Sequence, residues 1–482
     1  MPTPAVSDPA AGPVVLDAPR RAEAMARAGP LAERLAAAGV TMVALSWVDN
    51  AGIARAKTIP LSRLERAAGW GIGMSPVFDV FLVNDTITTS PHIGGPGGDL
   101  RLVPELDRLT VLGGQPGWAW APVSRYTQEG RVYAGCQRSF ARRMAAEARD
   151  RGLELRVAFE IEWALGTEAG GNAASGGADA GFRPACSGPA YGMTRVVELS
   201  DYGREVVGAL ERQGLTVEQF HPEYAAGQLE ISVAASDPVG AADDSALVRE
   251  TIRAVSARHG YRASFAPSVV AGSVGNGGHV HLSVWRDGQN LLAGGPGRHG
   301  LTAEGEAFAG GIFERLPALT AVGAPSVASY LRLVPSHWAG VFQCWGRENR
   351  EAALRLVTGS AGEHDARANI EIKCFDLAAN PYLVAGSLIA AGLAGVTSGA
   401  TLPPETDGDP AGLSPAEITD RGLRRLPQTL AEASDCLERD AVLRSAMGEP
   451  LADAFLAVRR GEAETFAGAS PEEIVEQTRW RW

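Results

Sequence analysis

Four stretches of the sequence carry acidic, histidine and basic residues at spacings that could support chemistry. In the first, VAFEIEW (residues 157–163), Glu160 and Glu162 are two positions apart in an otherwise apolar run. Side chains two apart on a strand point to the same face. Two neighbouring carboxylates repel and lose hydration there unless a cation lies between them. The pair therefore predicts a cation site, and an edge strand with one polar face explains it equally well.

A second pair of acids flanks a turn in HPEYAAGQLE, residues 221–230. Glu223 and Glu230 lie on either side of a Gly-Gln step, where the chain can fold back on itself. Such a turn would bring the two carboxylates together. For this motif taken alone, a solvated loop followed by a strand is the favoured interpretation.

The third stretch is a glycine-rich loop that leads into a histidine-bearing strand, GNGGHVHLS, residues 275–283. Its glycines, beginning with Gly275, allow backbone N–H groups to approach an anion closely. His279, His281 and Ser283 are each two apart, so a strand would place them on one face. A lone histidine is most often a satisfied core residue, but this combination favours a binding site.

Basic residues dominate the fourth stretch, which begins near residue 330. It holds Arg332, Arg350 and Arg355, and the last two could pair with Glu348 and Glu351 at the surface. They could instead clamp phosphate, which suits the planar fork of the guanidinium group. Glu371 and Lys373 repeat the two-residue spacing of the first stretch.

Taken together, the four stretches combine several carboxylates and histidines with arginine and lysine. Carboxylates and imidazole suit hard divalent ions that are shared with phosphate groups. Arginine and lysine beside them suit the transfer of a phosphoryl group, where catalysis is mostly positioning and charge stabilisation. The sequence contains no G-x-x-x-x-G-K-[ST] loop, no protein-kinase signature set and no G-x-S-x-G elbow.

The composition is that of an ordinary globular protein: 482 residues, 45% hydrophobic, with a net charge of −12. This charge argues against a general binder of nucleic acid or of anionic membranes. The five cysteines form no C-x-x-C pair, and the N-terminus lacks the pattern of a signal peptide, so we expect a cytoplasmic protein. The uncharged segment 382–400 predicts a buried core helix and no membrane span.

The elements that position these residues indicate a mixed α+β protein with two domains. We expect a flexible tail at 1–28, an N-terminal domain at 29–125 and a larger domain at 126–482. Two short strands should surround the turn at 49–52, and a long strand should carry the first pair of acids. The Gly/Ala/Ser-rich run 166–182 predicts a flexible loop or a lid.

The order of these motifs resembles that of glutamine synthetase, from about residue 30 to about residue 470. Any one of the motifs is weak, but their full set in this order is specific. In chain order they are D-x-x-G…K-x-I-P at Asp49–Pro60, E-x-E at Glu160–Glu162, E-x₆-E at Glu223–Glu230, H-x-H-x-S at His279–Ser283, R-L-x-P at Arg332–Pro335, N-R-x₄-R at Asn349–Arg355, and E-x-K…A-N-P-Y at Glu371–Tyr382.

The resemblance implies a small N-terminal β-grasp domain and a larger catalytic domain with a curved antiparallel sheet and flanking helices. It also implies a homo-oligomer, commonly a dodecamer of stacked rings, with sites shared between subunits. The cofactors would be ATP and Mg²⁺ or Mn²⁺. By matching positions, one metal would be held by Glu162, Glu223 and Glu230, and the other by Glu160, His279 and Glu371.

The resemblance assigns roles to the remaining positions as well. Arg332 and the backbone of Gly275 would bind the substrate's α-carboxylate, beside Glu162 and Glu223. Arg350 and Lys373 would neutralise the transferring phosphoryl group, and Arg355 would bind the nucleotide phosphates. His281 and Ser283 would line the nucleotide pocket, and Asp49 would be catalytic. The implied reaction makes an acyl phosphate from glutamate and ATP, and an amine then displaces phosphate.

The departures from the glutamine synthetase pattern lie at the amine end. Trp338 stands where the family's flap carries a glutamate, and Val274 replaces an asparagine before the loop glycine. An indole cannot accept a proton, but it can hold an alkylammonium group by cation–π contact. His337 could then serve as the base. The pattern is similar to the γ-glutamyl-amide ligases that use polyamines, ethanolamine or alkylamines. A true glutamine synthetase, a ligase for another carboxylate and a non-catalytic ring-forming or sensor protein stay open.

Overall fold

The computed structural model describes residues 15–95, 97–168 and 181–482. The described chain is built from two β-sheets and fifteen α-helices, which confirms the predicted α+β class. Most of the buried hydrophobic residues belong to two large clusters, the smaller of which lies against the first sheet.

The first sheet contains six strands in the order β2-β1-β6-β4-β3, with β5 paired to β6. Its strands are β1 (Met42–Val48), β2 (Ala54–Pro60), β3 (Ile72–Met74), β4 (Leu100–Pro104), β5 (Thr110–Val111) and β6 (Trp118–Thr127). β1 and β2 form the antiparallel hairpin predicted around the turn, whereas β1 and β6 run parallel. The last strand ends at Thr127, close to the boundary expected at 125.

The second sheet contains ten strands and carries all four motif stretches. Its central path runs β14-β15-β16-β12-β7-β10-β9, antiparallel except between β14 and β15. The strands are β7 (Glu154–Thr167), β8 (Arg183–Pro184), β9 (Val217–Pro222), β10 (Gln228–Val233), β11 (Arg262–Ser264), β12 (Val280–Arg286), β13 (Gln289–Asn290), β14 (Phe342–Arg347), β15 (Ala352–Val357) and β16 (Asn369–Ile372).

The helices flank these sheets and fill the C-terminal part of the chain. They are α1 (Ala18–Ala37), α2 (Leu64–Trp70), α3 (Gln137–Asp150), α4 (Met193–Glu198), α5 (Ser200–Arg212), α6 (Pro238–Arg258), α7 (Ala303–Gly323), α8 (Ser329–Arg332), α9 (His364–Arg367), α10 (Pro381–Ser398), α11 (Pro415–Asp420), α12 (Leu430–Arg439), α13 (Ala441–Met447), α14 (Glu449–Thr465) and α15 (Pro471–Thr478).

Helix α10 is the uncharged segment that could be mistaken for a membrane span. It has a mean hydropathy of 1.4 over 18 residues, and 78% of that window is buried inside the protein. It packs against α7, α3 and α6. The prediction of a buried core helix is therefore confirmed.

One expectation about a mobile segment needs correction, and a second falls mostly outside the described residues. Helix α1 covers residues 18–28, which were expected to belong to a flexible tail. Asp17 caps this helix by accepting a hydrogen bond from the Arg20 backbone, and Leu35 buries against the first sheet, so the segment is ordered by both capping and packing. In the expected loop 166–182, strand β7 continues through Thr167, and residues 169–180 lie outside the described residues.

Candidate active site

A pocket of about 850 Å³ lies over the ten-stranded sheet and collects most of the predicted site residues. The predicted residues that line it are Glu160, Glu162, Glu223, Glu230, Gly275, His279, His281, Arg332, His337, Trp338, Arg350, Arg355, Glu371 and Lys373. Residues as far apart in the chain as Glu160 and Lys373 therefore meet in one cavity. Asp49 and Ser283 are the two predicted residues that do not line it.

Strand pairing explains why one row of acids meets on the pocket floor. Glu162 on β7 pairs directly with Glu230 on β10, and Glu230 pairs in turn with His221 on β9. Residues opposite each other in antiparallel strands have neighbouring side chains. The chain folds back between β9 and β10 as expected, and the Glu223 backbone N–H donates to the carbonyl of Gln228 at 2.9 Å.

A second row lies on the other side of β7. His281 on β12 pairs with Glu371 on β16, and Glu371 pairs with Arg355 on β15. Glu371 accepts hydrogen bonds from Arg355 at 2.9 Å and from the Lys373 ammonium at 3.1 Å. Burial opposes ionisation of Glu371, but Lys373 and the nearby histidines lower its pKa to about 2. This low pKa keeps the carboxylate ionised at neutral pH.

Glu160 lies at the centre of the floor. Its carboxylate is 2.5 Å from His279 Nδ1 and 3.5 Å from His281 Nε2. Burial would raise the pKa of Glu160, but its contacts with the two histidines outweigh that effect and hold the pKa well below its ordinary value. Burial also opposes protonation of His281, yet its hydrogen bond to Glu160 and the nearby acids raise the His281 pKa to about 9.

Two floor carboxylates, Glu162 and Glu230, have raised pKa values because the nearby positive groups do not compensate for burial and for the neighbouring acids. Burial raises the pKa of Glu162 to about 7; Arg332 opposes the rise, and Glu223 and Glu160 add to it. Burial likewise raises the pKa of Glu230 to about 7, although its partner His221 opposes it. Buried carboxylates that repel one another in this way are stabilised by a bound cation.

Three groups of side chains could each share a cation, because one ligand atom from every member lies within 4.8 Å of the others. The groups are Glu160 with Glu162 and His279; Glu160 with His281 and Glu371; and His221 with Glu223 and Glu230. Their oxygen and imidazole donors fit a hard divalent ion. All six predicted metal ligands belong to one of these groups.

The grouping differs from both predicted metal sets: His279 and Glu371 fall in separate groups around Glu160, and Glu162 is not grouped with Glu223 and Glu230. The Glu162 carboxylate turns toward the glycine-rich loop, where it accepts hydrogen bonds from the Gly277 backbone N–H at 2.8 Å and from the Gln228 side chain at 2.9 Å. Glu223 and Glu230 are instead completed by His221, which lies 3.1 Å from Glu230. His221 was missed because its partner strand cannot be read from the sequence.

Arg332 is placed for a substrate anion. Its Nη2 lies 3.1 Å from the Lys373 carbonyl oxygen, which accepts its hydrogen bond, and 3.1 Å from His279 Nε2. Its Nη1 is buried without a hydrogen-bond partner among the described residues. A Cβ on Gly275 would lie 2.1 Å from the Pro267 carbonyl oxygen and 3.0 Å from the Arg332 side chain, so this loop position requires glycine. One guanidinium donor is thus free to bind a carboxylate.

The rim of the pocket is more exposed than its floor. Trp338 is 45% exposed, and its ring centroid lies 5.4 Å from that of Tyr224, which the sequence had not indicated. Tyr191, which also escaped prediction, donates a hydrogen bond to Glu223 at 2.7 Å. In the sequence, the only indication that Tyr224 belongs to the site is its position next to Glu223, and nothing indicates Tyr191.

Asp49 lies outside the pocket of its own chain, and its catalytic role stays a prediction. Its side chain is fully buried, accepts hydrogen bonds from the backbone of Ala51 and Ile53 at 2.9 Å, and pairs with Arg55 at 2.7 Å. Burial raises the Asp49 pKa to about 6, although Arg55 opposes the rise. Both carboxylate oxygens are used to build the turn between β1 and β2.

Ser283 is also misplaced by the sequence argument. It does share a strand face with His281, but it lies one row further along β12, opposite Arg156. Its hydroxyl accepts a hydrogen bond from Trp285 Nε1 at 2.8 Å and does not line the pocket. The expected contact with a nucleotide is therefore corrected to a structural contact.

Comparisons with known proteins agree with this geometry. Residues 134–478 match the family described as glutamine synthetase, catalytic domain. The γ-glutamylpolyamine synthetase GlnA3 of Streptomyces coelicolor is 57% identical over 95% of this chain and 97% of its own length. The glutamine synthetase of Halobacterium salinarum is 31% identical over 90% and 93%.

Solved structures also resemble this chain. A crystal structure of a glutamine synthase homologue superposes with a TM-score of 0.80 at 32% identity, covering 92% of this chain and 99% of that one. A GmaS/ADP complex gives a TM-score of 0.78 at 28% identity, covering 91% and 97%. The chain belongs to the glutamine synthetase family.

Proposed function

We propose that this chain is a carbon–nitrogen ligase that joins the γ-carboxylate of glutamate to a polyamine and converts ATP to ADP and phosphate. The main support is the pocket floor, where paired carboxylates, histidines and cations from four separate stretches meet on adjacent strands. The choice of amine is supported by the 57% identity to a γ-glutamylpolyamine synthetase.

The metal-binding residues would be the predicted ones, with His221 and His281 as near neighbours. Two divalent ions, Mg²⁺ or Mn²⁺, would be held by the two predicted sets, whose six members all line the pocket: Glu162, Glu223 and Glu230, and Glu160, His279 and Glu371. When bound, such ions would neutralise phosphate charge and draw the two substrates together.

The cations of the pocket would bind the anionic parts of both substrates. Arg332, with its free Nη1, would hold the α-carboxylate of glutamate beside Gly275. Lys373 and Arg350 would neutralise the γ-phosphoryl group as it moves to the glutamate side chain, and Arg355 would bind the nucleotide phosphates. The intermediate is γ-glutamyl phosphate, and holding its two parents in contact is the main catalytic task.

At the amine end, Trp338 and His337 face the pocket. The indole of Trp338 would attract an alkylammonium group, because the ring face is negative. His337 would accept the proton that the ammonium must lose before its nitrogen attacks the acyl phosphate. Phosphate then leaves, and the amide bond forms.

The test is ATP-dependent phosphate release with glutamate, Mg²⁺ and a panel of amines: ammonia, methylamine, ethanolamine, isopropylamine, putrescine and spermine. We expect release to be fastest with putrescine or spermine, and mass spectrometry should show the γ-glutamyl amide. Preference for ammonia would instead identify a glutamine synthetase.

Two controls separate the remaining alternatives. Aspartate and other carboxylates replace glutamate in one series, and activity there alone would point to a different acid. Absence of phosphate release with every acid and amine, from protein that binds ATP, would identify a non-catalytic member of the family.

We also propose that the protein is a cytoplasmic ring-shaped homo-oligomer with sites at subunit contacts. The family membership supports the ring, and the five free cysteines suit a reducing compartment. Light scattering after size-exclusion chromatography tests the assembly, and a mass near twelve times 50.4 kDa is expected for a dodecamer.

A further inference from the structure

Two large aromatic side chains are exposed side by side at the rim of the pocket. Tyr224 is 47% exposed and Trp338 is 45% exposed, and both line the cavity. Their ring centroids lie 5.4 Å apart with a 58° tilt, so the rings touch and form one continuous surface. We call this pair the aromatic wall. Its two members come from different segments, one after β9 and one between α8 and β14.

The segment that carries Trp338 is held in an unfavourable backbone conformation. Ser336 and Trp338 have φ angles of 58° and 54°, in the left-handed region that residues with a Cβ rarely adopt. Two hydrogen bonds fix this conformation: the Trp338 backbone N–H donates to Glu351 at 2.8 Å, and the Ser336 hydroxyl donates to Asp409 at 2.7 Å. Strained segments held in this way are typical of ligand clamps.

The wall faces the space that a long substrate would need. Beyond Trp338 the pocket adjoins a second cavity of about 390 Å³, and Trp338 and Arg350 line both. Carboxylates, including Glu351 and Asp409, are part of the lining of this second cavity. A short amine would not extend past the wall, whereas a chain of methylene groups with a further ammonium would lie along it and reach that space.

We propose that Tyr224 and Trp338 bind the alkyl chain and distal ammonium of the amine, and that Glu351 is the positioning residue that holds Trp338 in place. The rings would contribute apolar contact to the methylene groups and cation–π attraction to the charge. The wall thereby makes the enzyme favour amines that carry several methylene groups and a second positive charge over short monoamines. This inference rests on the proposed ligase activity.

The experiment compares KM and kcat for methylamine, putrescine and spermine in the full-length protein and in Tyr224→Ala. We expect KM for spermine to rise about tenfold, the scale of a cation–π contact that is partly shielded from water, while KM for methylamine changes less than about twofold. Tyr224→Phe keeps the ring and should keep most of the preference. Trp70→Ala removes a ring that is 48% exposed in the first domain and is the matched control.

The role of Glu351 is tested by a second pair of variants. Glu351→Gln keeps an oxygen that can accept from the Trp338 backbone and should retain the preference for spermine. Glu351→Ala loses that acceptor and should raise KM for spermine as Tyr224→Ala does, with kcat changed less than about threefold. Equal behaviour of the two Glu351 variants would overturn its positioning role.

The outcomes separate this inference from the proposed function. Failure of the wild-type protein to form an amide with any amine would contradict the ligase itself. A wild-type preference for spermine that persists in Tyr224→Ala would overturn the aromatic wall alone. A rise in amine-independent phosphate release in Tyr224→Ala, with the preference unchanged, would show that the wall excludes water and does not bind the amine.

Discussion

The floor and the rim of the pocket are built in different ways. The floor consists of side chains that stand on paired strands or, for His279 and Lys373, directly beside them: Glu160, Glu162, His279, Glu371 and Lys373. Most of them are buried, and neighbouring members contact one another. The rim consists of loop residues that are exposed or half-buried, namely Tyr224, His337, Trp338 and Arg350.

This difference separates the chemistry from the choice of amine. Phosphoryl transfer needs charges at fixed distances, and sheet hydrogen bonds fix them. Substrate selection needs a surface that can change without disturbing that geometry, and loops allow it. In a pocket of this kind, substitutions at the rim can change which substrate binds while the floor keeps the same reaction.

The largest expected effect comes from the floor. Replacing Glu160 with Gln removes the charge that contacts both His279 and His281, so ATP-dependent phosphate release should fall at least about 1,000-fold, the scale of several kcal/mol of charge stabilisation. Glu154→Gln, an exposed position on the same strand, is the control and should keep its activity. A loss below tenfold in Glu160→Gln would show that the floor is not the reaction centre.

At the rim, His337→Ala tests whether a loop residue takes part in the chemistry as well as in selection. We expect turnover at saturating amine to fall about a hundredfold, the lower range for a positioned base, with partial recovery at high pH where the amine is already neutral. Unchanged turnover at saturating amine would remove His337 from the mechanism and leave the rim with selection only.

The pH dependence of metal binding also distinguishes the two regions. Glu162 and Glu230 have pKa values raised from 4.5 to about 7, so these two groups bind more protons in the ion-free folded chain than in the unfolded chain between these values. Their contribution to the stability of the ion-free protein should therefore decrease as the pH rises toward 7. A metal must displace these protons, so Mg²⁺ affinity should increase about tenfold or more from pH 6 to pH 7.

Thermal unfolding with EDTA and with Mg²⁺, measured across this pH range, checks both statements. A stability of the ion-free protein that rises with pH in the same window would contradict the raised pKa values. Tyr224→Ala should show the same pH profile as the wild-type protein, since it alters the rim alone.

The floor could be predicted from the sequence largely because strands have a period of two. That period places Glu160 beside Glu162 and His279 beside His281 once the run is recognised as a strand. The identity of the partner strand is not local information, and this is why His221 was missed although it pairs directly with Glu230. The remaining floor residues, Glu371 and Lys373, were assigned from the order of the family's motifs.

Other features could not be predicted because a motif does not say where a side chain points. Asp49 sits in a family motif, and the motif does not show that its carboxylate contacts Ala51, Ile53 and Arg55 of its own chain. Helix α1 was overlooked because an alanine-rich, charged segment lacks a clear apolar stripe, although Asp17 and Pro19 form a recognisable helix start. Rim contacts such as Tyr224 with Trp338 depend on loop conformations that no spacing rule describes.

The smallest expected effect lies one row beyond the floor, at Ser283. Ser283→Ala should change KM for ATP less than about twofold, because its hydroxyl points to Trp285 and not into the pocket. It should lower the free energy of unfolding by about 1–2 kcal/mol, the cost of leaving the buried indole N–H unpaired. His281→Ala, one row nearer on the same strand, should instead raise KM for ATP clearly. A tenfold rise in KM for ATP in Ser283→Ala would extend the floor by one row and restore this serine to the nucleotide pocket.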